Sequence, residues 1–135
     1  MSKIRVGCAG IILHKDKVLL GIRGKEPNYG KWILPGGGVD FGELLEDTLK
    51  REIMEESNIK IKKLKYFKHY ELINLPNEHR IIFYFQAEYN TGILKASSDL
   101  LDVKFLTKNE IQKLYKEEKI SPFVVDVLKD FNWII

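Results

Sequence analysis

Arg51, Glu52, Glu55 and Glu56 stand close together in the run Arg51-Glu-Ile-Met-Glu-Glu of this 135-residue chain. If the run is helical, its three glutamates occupy positions i, i+3 and i+4 and project from neighbouring points of one face. Like charges at that spacing destabilise a helix by roughly a few tenths of a kcal/mol per pair. A hard divalent cation is the simplest partner that reverses the sign. At about 100° per residue, Leu45, Leu49 and Ile53 form the apolar stripe, with Glu52 and Glu56 roughly 60° and 20° from its centre. Carboxylates beside a buried stripe carry a desolvation cost unless something positive meets them. Glu46 and Lys50, four apart, read instead as an ion pair on the solvated side.

Upstream, Leu34-Pro35-Gly36-Gly37-Gly38 ends a short apolar segment. The glycines read as a loop whose backbone can approach a ligand closely. Mg²⁺ takes carbonyl oxygens alongside carboxylates, so the Gly36 carbonyl with the glutamates makes a coherent coordination set. Such a set, with open positions for water and phosphate oxygens, suits substitution at phosphorus.

The 23 residues from Gly37 to Ile59 resemble the Nudix box, the signature of the Nudix hydrolases: Gly37, five residues, Glu43, seven residues, then Arg51-Glu52-Ile53-x-Glu55-Glu56-x-Asn58-Ile59. The likeness extends to an N-terminal strand, to Lys31-Trp-x-Leu-Pro-Gly-Gly37 and to Phe105-Leu-Thr107-x-x-Glu110. It implies one Nudix domain over residues 1–135, folded as an α/β/α sandwich around a mixed, curved sheet, with the box as loop, helix and loop. Two positions depart from the family's pattern. Asn58 stands where glycine is usual, and asparagine is the best substitute in a left-handed helix C-cap. Leu44 stands where Ser or Thr is favoured as N-cap, at a cost of about 1 kcal/mol, partly offset by Glu46 and Asp47 acting on the helix dipole.

The resemblance implies hydrolysis of a nucleoside diphosphate linked to another group, with Mg²⁺ or Mn²⁺ as cofactor. Glu52 and Glu56 are expected as main metal ligands, Glu55 as a further ligand and the Gly36 carbonyl as completing the set. Arg51, on the flank of that face, is expected to fix a glutamate rather than touch substrate. The family suggests for Glu43 a salt bridge to Arg51 or an outer metal contact; a helix-start acid favoured by the dipole is the other reading. Arg23 falls where the family often contacts phosphate, and Gly37 is placed with it in substrate binding. Glu52 is the first choice of general base, with Asp99 and Asp102 as loop-borne alternatives.

Gly36-Gly37-Gly38 differs from the Lys-Gly-His of diadenosine polyphosphate hydrolases and from the Gln-Gly-Gly of RNA 5′-pyrophosphohydrolases. The short chain resembles triphosphate-cleaving members, so a nucleoside triphosphate giving the monophosphate and pyrophosphate is expected. ADP-ribose or a nucleotide sugar is the alternative, and a non-catalytic nucleotide sensor the remote one. Trp32, Tyr29, Tyr70 and Tyr84 offer rings for a base, although each taken singly reads as core or strand surface.

At 44% hydrophobic, the chain has the size of a single unit able to bury its own core. A net charge of +3 is too small and dispersed to argue for nucleic acid. Lys60 to Lys68 (KIKKLKYFK) is locally basic and reads as a half-buried strand. A single cysteine excludes an intramolecular disulfide, and Cys8 reads as a small core residue. No apolar run reaches the length of a membrane span or signal segment, so a cytoplasmic protein without membrane partners is expected; a homodimer is compatible with all of this.

Strands are predicted over residues 4–13, 18–22, 61–70, 81–89 and 103–106. Thr107 to Glu110 reads as a capping box before a helix bearing Ile111, Leu114 and Tyr115. Ser121-Pro122 reads as an N-cap and first helical residue, opening a helix that buries Val124, Val125, Leu128 and Phe131. Pro76 and Asn77 read as a break between two strands.

Overall fold

Lys15 and Asp16 both adopt positive φ (48° and 61°). They form the two-residue hairpin that folds β1 (Lys3–His14) back onto β2 (Lys17–Arg23), with His14 opposite Lys17. A turn of that hand matches the twist of the strands it joins. The computed structural model describes residues 3–74 and 77–135. Pro76 lies outside the described residues; Asn77 is left-handed at φ 60°.

Along β1 and β2 the core residues alternate between two clusters, as a sheet buried on both faces requires. Ala9, Ile11, Val18 and Leu20 enter one cluster; Cys8, Ile12 and Leu19 enter the other. The second cluster is closed by Leu49 and Ile53 of α1 (Leu45–Ser57). The first is closed by Ile111 of α2 (Lys108–Lys116) and by Val124, Val127 and Leu128 of α3 (Pro122–Asp130). The result is an α/β/α sandwich. Its sheet runs β3 (Trp32–Ile33), β2, β1, β6 (Glu78–Gly92), β5 (Ile59–Asn74), with β7 (Leu100–Thr107) on β2. The sheet is mixed because β1 and β6 pair in parallel from Lys3↔Glu78 to Leu13↔Glu88 while the other pairs are antiparallel.

All five predicted strands lie inside longer ones. In β5 the side chains of Lys60, Lys62, Lys63, Lys65 and Lys68 are exposed while Ile61 is buried, and register shifts against β6 break strict alternation.

Three local readings need correction. Gly36–Gly38 is not a loop but a short strand, β4, pairing antiparallel with β1 from Ala9↔Gly36 to Gly7↔Gly38. A Cβ on Gly36 would overlap the Cys8 carbonyl and Ala9, so only glycine permits this approach. Ser121 precedes α3 but its side chain makes no cap hydrogen bond. It is buried, and its amide donates to the Trp32 carbonyl (3.0 Å), tying α3 to β3. Val127 of α3 is fully buried, whereas Val125 and the C-cap residue Phe131 are only half-buried.

Candidate active site

Helix α1 begins without help from its N-cap. Leu44 is extended (φ −76°, ψ 150°) and offers no side-chain bond, while Glu46 and Asp47 occupy the first turn. At the other end Asn58 is left-handed (φ 63°, ψ 24°). Its amide donates to the Met54 carbonyl (3.0 Å) and its Nδ2 to the Ile93 carbonyl (2.9 Å). The helix is thereby stopped and fastened to the chain after β6.

Between these ends Arg51 gathers the acids of the box. Its guanidinium forks onto Glu43, Nε to Oε2 at 2.8 Å and Nη2 to Oε1 at 3.0 Å. Nη1 donates to Glu52 Oε1 (2.8 Å) and to Glu55 Oε1 (3.3 Å). Nη2 also reaches the Gly38 carbonyl (3.1 Å) and, at 3.5 Å, Asp40. Planar, bidentate pairing of this kind is what a guanidinium does and an ammonium does not. Glu43 is further held by the Thr48 hydroxyl (2.6 Å) and the Asp40 amide (3.1 Å). These bonds, Arg51 first, hold the Glu43 carboxyl down at about 2.

Glu56 lies on the opposite flank, 4% exposed, where its Oε1 accepts one hydrogen bond from the Gly36 amide (2.9 Å). Burial, reinforced by the Glu52 charge, pushes its carboxyl up to about 8. Glu52 is half-buried and pushed up by burial, opposed by the Arg51 contact. A Cβ on Gly37 would overlap the Glu52 carboxylate, so this glycine makes room for the acid. Gly36 and Gly37 thus each meet one of the two inner glutamates.

Two inner carboxylates facing glycine backbone, Glu56 with no ion pair among the described residues, form an all-oxygen donor set that fits a hard cation. Glu55 is exposed and turned to Arg51. Among the described residues no three such groups are drawn to coordinating distance as they stand.

The loop before β7 borders this face. Ser97 donates its amide to the Glu56 carbonyl (3.1 Å), and the Asp99 charge adds to the upward push on both Glu52 and Glu56. Asp99 pairs with Lys25 (2.8 Å), and its carbonyl accepts from the Gly24 amide (2.7 Å). Asp102 instead accepts from the Val103 amide, within β7. Arg23 ends β2, its Nε donating to the Pro27 carbonyl (2.7 Å), with its charge acting on Glu56.

Of the four aromatic rings considered for a base, Tyr84 is buried in the core against Tyr70 and Phe123. Tyr70 donates to Asp130 (2.6 Å), and Trp32 packs on the α3 side. Tyr29 stands 58% exposed in the segment after β2. Thr48, Asp40 and Lys25 were not singled out from sequence. Thr48 sits five residues from Glu43 and carried no signal beyond its place in the box; the Lys25–Asp99 pair spans 74 residues and carried none.

A family model described as NUDIX domain matches residues 1–127. The ADP-ribose pyrophosphatase of Methanocaldococcus jannaschii is 35% identical over 123 residues, covering 85% of this chain and 69% of that protein. The oxidized purine nucleoside triphosphate hydrolase of Mus musculus is 31% identical over 102 residues, covering 74% of this chain and 65% of its own length. The crystal structure of a MutT NUDIX hydrolase from Burkholderia pseudomallei superposes with a TM-score of 0.83 at 24% identity, over 95% of this chain and 98% of that one.

Proposed function

Since the chain belongs to the Nudix family and is a Nudix hydrolase, we propose that it is a Mg²⁺-dependent enzyme that hydrolyses a nucleoside triphosphate to the monophosphate and pyrophosphate. The observation that carries the reading is the pair Glu52 and Glu56, held against Gly37 and Gly36 on the inner flank of α1. Nudix hydrolases generally use divalent ions, and the oxygen-only donor set here favours Mg²⁺, with Mn²⁺ as a substitute.

In this reading Glu52 and Glu56 hold the cation, with Glu55 and the Gly36 carbonyl as further ligands. When bound, the ion supplies charge neutralisation on the diphosphate and a more acidic water. Arg51 positions: its fork on Glu43 fixes the guanidinium, which in turn orients Glu52 and Glu55. Arg23 contributes positive charge for a phosphate beside Glu56. Glu52 is the first choice to take the proton from the attacking water. Asp99, whose charge is felt at both inner glutamates, is the second choice for that role.

A second reading, ADP-ribose as substrate, is favoured by the archaeal relative at 35% identity. Either way the whole chain is read as one domain acting on a small nucleotide. Among the described residues no helix is long and apolar enough to cross a membrane; we place the enzyme in the cytoplasm.

The test is a panel of nucleoside di- and triphosphates, ADP-ribose and nucleotide sugars, assayed with Mg²⁺ and with EDTA. Running the positive reactions in ¹⁸O-labelled water identifies the phosphorus attacked. Monophosphate and intact pyrophosphate are expected from a triphosphate. Orthophosphate released in a single step would overturn the assignment, and turnover of ADP-ribose alone would select the second reading.

A further inference from the structure

The first residues of β1 and β6 bring cations together. Their parallel register sets Lys3 opposite Glu78 and Arg5 opposite Arg80. Directly paired residues carry their side chains on the same face of a sheet, and like charges so placed repel. One acid compensates: Arg80 pairs with Glu78 at 2.8 Å, whereas neither Lys3 nor Arg5 forms an ion pair among the described residues. Lys3, Arg5, Asn77, Glu78, His79 and Arg80 line a cleft of about 320 Å³. The Arg80 Nε is shielded from solvent without a hydrogen-bond partner among the described residues. A shielded donor left unmatched is costly, and a guanidinium always donates.

We propose that this cleft binds the phosphate group of a small molecule. A phosphate offers oxygens to several donors at once, accepts from guanidinium forks and removes the Arg5–Arg80 repulsion. The cleft is separate from the carboxylate face. Its charge is opposite, and it begins two residues along β1 from Gly7, where β4 docks, about 7 Å at strand rise. The phosphate can therefore belong to a far end of the substrate or to a free ligand. The proposal stands without the hydrolase reading.

Binding of inorganic phosphate and pyrophosphate is measured by calorimetry in EDTA, conditions under which the carboxylate face repels anions. Saturable binding is expected, at least tenfold weaker in Arg5→Gln and in Arg80→Gln and unchanged in Glu52→Gln. Glu78→Gln removes the competing acid and should tighten it. Absence of saturable binding by the unaltered chain, or an affinity in both arginine variants equal to that of the unaltered chain, overturns the proposal. Turnover with Mg²⁺ then identifies the source: a raised KM at constant kcat in Arg5→Gln assigns the phosphate to the substrate, and an unchanged KM assigns it to a free ligand.

Discussion

Helices α1 and α2 each follow an extended residue and carry acids, and they treat those acids in opposite ways. In α2, Thr107 Oγ1 accepts from the Glu110 amide (3.2 Å) and Glu110 Oε1 accepts from the Thr107 amide (2.9 Å). Lys113 and Lys116 occupy its last turn, matching the helix dipole. Helix α1 has no side-chain cap, no basic residue in its last turn and a carboxylate buried there at Glu56. The Thr107 amide holds the Glu110 carboxyl below its ordinary value, whereas burial pushes Glu56 up. Where every local rule is kept, the helix is structural. Where several are broken along one face, that face is the one proposed above to hold a cation.

The largest effect expected from breaking this contrast is on turnover. Glu52→Gln and Glu56→Gln should each lower kcat by about 100-fold or more, since even groups behind the ligands of a metal site are worth about 10- to 100-fold. Both variants should stay folded by circular dichroism. Thr107→Ala, the corresponding insult to α2, should leave kcat unchanged. Normal turnover in both glutamine variants would remove the metal role from α1.

The second expectation concerns pH in the absence of metal. Glu56 rises from an ordinary 4.5 to about 8 on folding, so its proton is held more tightly in the native state. Its contribution to stability is complete below about 4.5 and is lost as pH rises through about 8. Melting temperatures in EDTA should fall across that window, and the fall should shrink in Glu56→Gln or with saturating Mg²⁺. Glu110 has the opposite sign: its contribution is present above the ordinary carboxylate range and lost as pH drops below it. An EDTA melting profile that does not change between Glu56→Gln and the unaltered chain would contradict the burial argument.

A smaller effect is expected at the end of α1. Asn58→Val should cost about 1–2 kcal/mol, because a β-branched residue is forced into left-handed backbone. Asn58→Gly relaxes the backbone and loses the Nδ2 bond to Ile93, so it should be close to neutral. Equal denaturation midpoints for the three proteins would place the helix stop elsewhere.

The smallest effects test the two N-termini directly. Thr107→Ala should destabilise by about 1 kcal/mol and Leu44→Ser should stabilise by up to about 1 kcal/mol. Both are readable in urea titrations. A larger response at Leu44 than at Thr107 would reverse the contrast between the helices.

Much of this was legible along the chain because it is local. The 3.6-residue period put Glu52 and Glu56 beside the Leu49–Ile53 stripe, and the structure finds Glu56 buried and Glu52 half-buried there. The capping box at Thr107 needed only four consecutive residues. The glycine run reads as a loop because its pairing partner, Gly7 to Ala9, lies almost thirty residues upstream and a glycine carries no side-chain pattern to announce a strand.

By itself, then, the sequence determined the spacing of the carboxylates and the single arginine among them, which follow from helix geometry within one segment, while the left-handed stop at Asn58 followed from its likeness to the glycine of the box. The tertiary structure alone decided what meets the buried acid, since that depends on β4 docking against β1 and presenting the Gly36 amide to Glu56. It alone brought Asp99 to the glutamates and set Arg5 against Arg80, because side chains far apart in the chain acquire fields on one another only when strand register fixes the distance between them.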